Sequence, residues 1–290
     1  MKPASFAYHR PRSVGDALFL LSDLGDEAKV LAGGQSLTPM LALRLTFFDN
    51  LVDISRLPEL QGIEDRGDTV FVGAGTTHAR VGADPTVAAK VPLLTRATPH
   101  IGHFQIRNRG TLGGAVAHAD PAGEYPTVAL ALDAQMEAVS PSGRRHIPAA
   151  EFFTGLWESA LEPGELLAGV SFPVWSGRCG FSVKEFARRH GDFAIAGAVV
   201  AVEVADDRIS RCAIALMGLG STPLRASAAE AAVTGQPVGQ TPASEIGALA
   251  LAGLDDVPAD LQGSAAYRIR VGATMAARAW TEALEEATRA

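Results

Sequence analysis

The segment Ala32–Leu37 (AGGQSL) carries residue types suited to binding a phosphorylated ligand. Gly33 and Gly34 have no Cβ, so the backbone here can adopt positive φ angles and approach a ligand closely. Successive amides in such a turn can form a concave anion site, and Ser36 adds a hydroxyl group. The segment is neither G-x-G-x-x-G nor a P-loop, because no Gly-Lys-Ser/Thr follows. Taken alone, it is either a diphosphate-binding loop or an ordinary tight turn.

A second segment, Thr111–Ala115 (TLGGA), repeats the pattern of a hydroxyl residue beside paired glycines. Two such loops, about 80 residues apart, could hold two sides of one diphosphate-containing ligand. His118, Asp120 and Glu124 follow the second loop closely, and each could be a ligand contact or an ordinary cap or surface residue. His118 and Asp120 alone do not define a metal site, because a third ligand at recognisable spacing is missing.

The rest of the chain offers few other groups with typical catalytic spacing. It contains no G-x-S-x-G nucleophile elbow and no H-E-x-x-H zinc motif. Its two cysteines, Cys179 and Cys212, cannot ligate an iron–sulfur cluster or a four-ligand zinc ion, and their apolar surroundings are typical of buried thiols. The charged segment Lys184–Phe193 is either a solvated loop or part of a ligand or partner surface.

The residues around the loops predict the elements that position them. Ser13 and Asp16 predict a helix start, and Gly25 is placed to end that helix. Strands are predicted at Lys29–Ala32, Leu51–Ile54, Thr69–Val72, Met136–Ser140, Arg145–Ile147, Leu166–Phe172, Ile195–Ala205 and Ile209–Met217. Helices are predicted at Thr77–Ala89, Pro92–Ala97, Tyr125–Leu132, Ala226–Thr234, Ser244–Leu254 and Ser264–Ala290. Strands and helices mixed without a regular βαβ rhythm indicate an α+β protein, with a domain boundary near residues 174–178.

Length and composition narrow the class of protein further. A chain of 290 residues corresponds to about two domains. With 47% hydrophobic and 20% charged residues, it is a folded globular protein. A net charge of −7 argues against a nucleic-acid surface. The start of the sequence has no apolar signal and no stretch is long enough to span a membrane, so we expect a cytoplasmic protein without a membrane span.

Four segments of the chain together resemble one known family. They are AGGQSLTPMLALRL (Ala32–Leu45), LVDISRLPEL (Leu51–Leu60), RNRGTLGGAVAHADPAGEYP (Arg107–Pro126) and GDFAIAGAVVAV (Gly191–Val202). In this order and spacing they resemble the FAD-binding medium subunit of the molybdenum hydroxylases, the group of carbon monoxide dehydrogenase and the xanthine-dehydrogenase-like enzymes. The resemblance covers essentially the whole chain. It implies an α+β fold, with a vanillyl-alcohol-oxidase-type FAD-binding domain of two α+β halves in residues 1–175. A smaller C-terminal α+β domain, an antiparallel sheet plus helices, is then expected in residues 176–290.

The resemblance also implies a set of cofactor-binding residues. The FAD pyrophosphate is expected at the two loops, which contribute Ala32, Gly33, Gly34, Gln35, Ser36, Leu37, Thr111, Gly113, Gly114 and Ala115. His118 and Asp120 are expected to be further cofactor-binding residues. Glu124 corresponds to an acid that bonds the sugar portion, and Lys184 to a lysine near the flavin. Ile101 and Leu167 correspond to apolar cofactor contacts. Phe193 corresponds to a ring beside the isoalloxazine, where some relatives carry Tyr, and Ala115 replaces a frequent Asn or Asp.

The function that the resemblance implies is electron relay. Substrate would be oxidised in a large molybdopterin subunit, and a small subunit with two two-iron two-sulfur clusters would pass the electrons to FAD in this chain. The electrons would leave to an external acceptor, and the whole enzyme is expected to be a dimer of heterotrimers. No catalytic residue and no metal site are expected in this chain. The alternatives are a stand-alone FAD-dependent oxidase or dehydrogenase, and a non-catalytic subunit in which FAD is structural.

Overall fold

The N-terminal part of the chain forms a three-stranded parallel sheet. A computed structural model describes residues 2–289, and its first strands are β1 (Ala7–His9), β2 (Ala28–Leu31) and β3 (Asn50–Asp53) in the order β1-β3-β2. Helix α1 (Val14–Leu24) joins β1 to β2, and α2 (Leu37–Ala42) follows β2. The predicted caps of α1 are confirmed, since Ser13 accepts a hydrogen bond from the Asp16 amide at 3.0 Å and Gly25 ends the helix at φ +55°.

A five-stranded antiparallel sheet forms the second half of the N-terminal domain. Its order is β4-β5-β10-β6-β7, and a small β8–β9 hairpin precedes β10. The strands are β4 (Ile63–Asp65), β5 (Thr69–Gly73), β6 (Gln135–Ser140), β7 (Gly143–Pro148), β8 (Phe153–Gly155), β9 (Glu158–Ser159) and β10 (Leu166–Pro173). The helices are α3 (His78–Ala83), α4 (Pro85–Lys90), α5 (Pro92–Ala97), α6 (Phe104–Arg107), α7 (Leu112–His118), α8 (Glu124–Ala131) and α9 (Ala149–Phe152).

The single helix predicted over Thr77–Ala89 is wrong, because the structure divides it into α3 and α4. Asp84 lies between them with φ −78° and ψ 126°, an extended conformation. Proline disfavours the helical conformation in the residue before it and is well tolerated at the first helical position. Asp84 therefore ends α3, and its carboxylate caps α4 by accepting from the Thr86 and Val87 amides at 2.9 and 3.2 Å.

The C-terminal part is a four-stranded antiparallel sheet covered by helices. The strands, in spatial order, are β11 (Arg178–Phe186), β12 (Ala196–Ala205), β13 (Arg208–Met217) and β14 (Leu224–Arg225), and the helices are α10 (Ser227–Val233), α11 (Ala243–Ala250) and α12 (Ala265–Arg289). Val199 and Ala201 of β12 pack into the core of the N-terminal domain, whereas Val200 and Val202 pack under the helices. Both faces of this sheet are therefore buried, and the α+β architecture agrees with the prediction.

None of the helices between residues 2 and 289 is both long and apolar enough to cross a lipid bilayer.

Candidate cofactor site

The first glycine loop presents a run of free backbone donors between β2 and α2. The amides of residues 33–37 donate to no acceptor within residues 2–289. Gly34 adopts φ +70°, and the Gln35 side chain donates to the Gly33 carbonyl at 2.9 Å. Buried amides without partners are rare in proteins; Gly33 is buried and residues 34–37 are half-buried. Consecutive amides in a turn form an anion site. This loop can therefore bind an anionic group such as a diphosphate.

In the second glycine loop, the amides of residues 112–115 already donate hydrogen bonds within the protein. The amides of residues 112–115 donate to Thr76 O, Ala74 O, Thr111 Oγ1 and Thr111 O at 2.9–3.0 Å. Thr111 thereby caps α7, in the manner expected of a hydroxyl residue at a helix start. A ligand that takes the Thr111 hydroxyl or the Gly114 amide must replace this capping bond. The two loops, although similar in sequence, thus differ in the donors that they leave free.

The glycine pairs also serve two different purposes. A Cβ on Gly33 would lie 2.2 Å from the Arg109 carbonyl oxygen, and a Cβ on Gly113 would lie 2.3 Å from the Ala74 Cβ. The first glycine of each pair is therefore required for packing inside the protein: Gly33 against the residues just before the second loop, and Gly113 against Ala74 directly after β5. The second glycines, Gly34 and Gly114, stay partly exposed, and only Gly34 has a positive φ among the four. Internal packing thus accounts for Gly33 and Gly113, and the cofactor-binding role of all four glycines stays a prediction.

His118 and Asp120 lie at the end of α7 beside the exposed Trp157. The His118 and Trp157 rings are nearly parallel, at 8°, with centroids 6.3 Å apart, and the indole Nε1 donates to Asp120 Oδ2 at 3.4 Å. Burial lowers the pKa of His118, so its imidazole is neutral at pH 7. Within residues 2–289 no three metal-ligating side chains come together. This corner of the molecule is a polar and aromatic rim of the second loop.

Two carboxyl groups lie near the turn Thr98–His100: Glu124, which is half-buried, and Glu185, whose side chain is 4% exposed. Burial, followed by the charge of Glu185, raises the pKa of Glu124 to about 8, and burial raises the pKa of Glu185 to about 7. The Tyr125 hydroxyl and Thr98 Oγ1 lie 2.7 Å apart, which joins the start of α8 to this turn. Sequence reasoning missed Glu185. The only signal for it was the alternation of residues along β11, which assigns faces only once both sides of the strand are known.

Lys184 lies on the other side of β11 from Glu185. Phe181 and Val183 pack into the core of the N-terminal domain. Ser182 donates to Glu282 of α12 at 2.7 Å, and the Lys184 ammonium forms an ion pair with the same carboxylate. The placement of Lys184 beside a flavin therefore remains a prediction.

Ile101 and Phe193 belong to two segments that the fold brings together. Ile101 is buried and its carbonyl accepts from the Arg107 guanidinium at 3.1 Å. Phe193, which is 62% exposed, lies in the loop between β11 and β12. A Cβ on Gly191 of that loop would lie 3.0 Å from the Gly102 carbonyl carbon. Leu167 is buried in β10, within the core of the five-stranded sheet.

His78 is a second residue that sequence reasoning missed. Its ring is buried, and Nε2 lies 2.9 Å from the Thr111 carbonyl oxygen. Burial lowers the pKa of His78 to about 4, so the ring is neutral and its Nε2–H donates to this carbonyl. A Cβ on Gly110 would lie 2.9 Å from the ring. His78 therefore stabilises the second loop through this hydrogen bond and through packing against Gly110. No local sequence pattern around His78 indicates this role.

The parallel sheet, the antiparallel sheets and the turn of free amides define a two-domain α+β protein with a loop whose chemistry suits an anion. The family described as "FAD binding domain in molybdopterin dehydrogenase" matches residues 4–175, and "CO dehydrogenase flavoprotein C-terminal domain" matches residues 181–283. This chain belongs to the family of FAD-binding medium subunits of the molybdenum hydroxylases.

Relatives with different named activities match over nearly the full length. The 6-hydroxypseudooxynicotine dehydrogenase complex subunit alpha of Paenarthrobacter nicotinovorans is 43% identical, covering 99% of this chain and 97% of the relative. Caffeine dehydrogenase subunit beta of Pseudomonas sp. is 37% identical, covering 98% and 97%. Among solved structures, carbon monoxide dehydrogenase from Hydrogenophaga pseudoflava superposes with a TM-score of 0.95 at 38% identity, covering 99% of both chains.

Proposed function

We propose that this chain binds FAD and relays electrons within a molybdenum hydroxylase. In this proposal a small subunit with two-iron two-sulfur clusters delivers electrons, a large molybdopterin subunit oxidises the substrate, and an external acceptor receives the electrons from this chain. The observation that carries the proposal is the run of free amides at residues 33–37, in a chain that belongs to the FAD-binding family. Bound FAD would supply one- and two-electron transfer chemistry, and the protein binds, orients and tunes it.

The proposal assigns roles to the individual side chains. The first loop would hold the diphosphate through its amides, while Gly33 and Gly113 let the second loop support it. Glu124, at the start of α8, would bond the sugar portion. Ile101 and Phe193 would lie beside the ring system, with Lys184, Leu167, His118 and Asp120 as further contacts. We assign residues 1–175 to the FAD-binding domain and 176–290 to the C-terminal domain.

The substrate is proposed to be chosen by another subunit. Relatives named for 6-hydroxypseudooxynicotine, caffeine and carbon monoxide share at least 37% identity with this chain over nearly its whole length. Because such similar flavoprotein subunits belong to enzymes named for such different substrates, we infer that another subunit recognises the substrate. We extend the proposal to a dimer of heterotrimers in the cytoplasm.

The test is co-expression of this chain with the products of neighbouring genes, followed by purification through a tag on this chain. We expect a complex that contains molybdenum, iron and FAD, and in which reduced iron–sulfur clusters rapidly reduce the flavin. Substrate-dependent flavin reduction by the isolated chain would contradict the relay and support a stand-alone oxidase or dehydrogenase. A flavin that the clusters never reduce would instead indicate a structural cofactor.

A matched pair of variants separates cofactor binding from assembly. Gly34→Val strains a position with φ +70° and displaces the free amides, so the complex should form without the flavin absorbance near 450 nm. Gly67→Val also places a side chain at positive φ, +85°, but in a β4–β5 turn with open space around it. It should retain the flavin. Equal flavin content in the two variants would contradict the role of the first loop.

A further inference from the structure

Glu185 is a buried carboxyl group that the proposed electron relay leaves without a role. Its side chain is 4% exposed, and Oε2 has no hydrogen-bond partner within residues 2–289. The His100 Nδ1 atom lies 3.9 Å from Oε2, which is beyond hydrogen-bond distance. A buried carboxylate without donors is strongly unfavourable. At this position the group is therefore stable when it carries a proton.

The turn Thr98–His100 connects Glu185 to the start of α8. His100, whose side chain is 34% exposed, lies beside Glu185 at one end of the turn. At the other end Thr98 contacts the hydroxyl of Tyr125, the residue next to Glu124. The charge of Glu185 is in turn one cause of the raised pKa of Glu124. The two carboxyls thus belong to one electrostatic group beside the candidate cofactor site.

The surrounding charges do not neutralise this group. Besides Glu185, the charge that acts on Glu124 is Asp120. His190 and Lys184 act on the neighbouring His100, and Arg107 acts on Tyr125. Lys184 is engaged by Glu282 on the far side of β11, and Asp120 adds a further negative charge that raises the pKa of Glu124. Burial is the cause that raises the pKa of Glu185, with no cation offsetting it. Ionisation of both carboxyls would therefore place two uncompensated negative charges here.

We propose that Glu185 and Glu124 form a proton-holding pair that keeps the cofactor site neutral in mildly acidic solution and weakens retention of the anionic cofactor when it loses its protons. Glu185 acts as a positioning residue, because it works through the charge of the site and through Glu124. The proposal rests on FAD being the cofactor. Its physical basis is that a diphosphate and two carboxylates repel one another in a site of low dielectric constant.

The first test measures the dissociation constant of FAD between pH 6 and pH 9.5, in the assembled enzyme after removal and readdition of FAD. The wild-type constant should be level below pH 7 and rise above it, by about tenfold per pH unit for each proton taken up on binding. Glu185→Gln should lower the slope of log Kd against pH by up to one, because one fewer proton is taken up on binding. The control Glu151→Gln, at an exposed position in α9, should follow the wild type. Equal slopes for Glu185→Gln and the wild type would overturn the proposal.

The second test is independent of the cofactor. Infrared spectra of the purified apo chain near pH 6 should contain the carbonyl band of protonated carboxylic acids, part of which disappears as the pH rises through about 7. Glu185→Gln should lack that part while keeping the wild-type unfolding midpoint at pH 6, because Gln has the shape of the protonated acid. An unchanged band in the variant would refute the proton on Glu185. Failure to bind FAD at any pH would instead contradict the proposed function.

Discussion

Gly33 and Gly113 pack inside the protein, whereas Gly34 and Gly114 are partly exposed. This difference predicts the effects of Gly33→Ala and Gly113→Ala. The added Cβ atoms would lie 2.2 Å from Arg109 O and 2.3 Å from Ala74 Cβ, where ordinary contacts exceed about 3.4 Å. Backbone and Cβ atoms cannot rotate away, so Gly33→Ala must displace the first loop from Arg109, and Gly113→Ala must displace the second loop from Ala74, each by about 1 Å. Overpacking of this kind costs about 1–3 kcal/mol, and the upper end applies because rigid atoms surround both positions.

The assay is urea unfolding of the apo chain, combined with FAD titration of the same samples. We expect both variants to lower the free energy of unfolding by about 3 kcal/mol and to lose FAD, because Gly33→Ala displaces the first loop and Gly113→Ala displaces the second. Gly114→Ala meets only the Thr111 hydroxyl at 2.8 Å and Ala32 at 3.5 Å. Its cost should be near the value of one helix cap, about 1 kcal/mol.

A matched control is available in α1. A Cβ on Gly15 would meet only Ser13 Oγ, at an ordinary 3.7 Å. Gly15→Ala should therefore be neutral or stabilising by up to about 1 kcal/mol. If Gly33→Ala behaves like Gly15→Ala in both unfolding and FAD titration, the proposed contact between the loops is refuted.

Three further predictions follow from single side chains. Arg268 is 4% exposed and donates to the Ile195 and Gly218 carbonyls at 2.6 and 3.1 Å. Arg268→Met would leave both carbonyls unpaired, so it should lower the free energy of unfolding, measured in urea, by about 2–4 kcal/mol. A decrease below about 0.5 kcal/mol would contradict this prediction. Native Glu124 keeps its proton to about pH 8, whereas its ordinary pKa is 4.5, so the apo chain should lose stability as pH rises through this window. Glu124→Gln should reduce this loss of unfolding free energy by at most about 5 kcal/mol. If the unfolding free energies of variant and wild type change in parallel from pH 5 to 9, the raised pKa of Glu124 is refuted. Phe193→Ala removes a phenyl ring that is 62% exposed, so the free energy of unfolding should change by less than about 0.5 kcal/mol. The flavin potential or flavin retention should shift. A potentiometric titration identical to wild type would count against the place of Phe193 beside the flavin.

Local features of this chain were readable because their causes lie within a few residues. Ser13 and Gly25 bound α1 through contacts three and four residues away, and the Asp206-Asp207 turn between β12 and β13 follows from two residues that tolerate positive φ. The exception among the helices near the site is the break at Asp84, whose cause, Pro85, was nevertheless adjacent. The glycine pairs and the hydroxyl beside each were visible for the same reason.

The sequence by itself thus determined the α+β class, both glycine loops and membership in a family of FAD-binding subunits. The tertiary structure alone decided which glycines pack and which stay exposed, because Gly33 meets Arg109 and Gly113 meets Ala74, residues 76 and 39 positions away in the chain. It also decided the faces of β11, turning Glu185 toward His100 and Lys184 toward Glu282. Alternation along a strand separates two faces but does not say what covers each. That information resides in distant segments, which only the packed fold brings into contact.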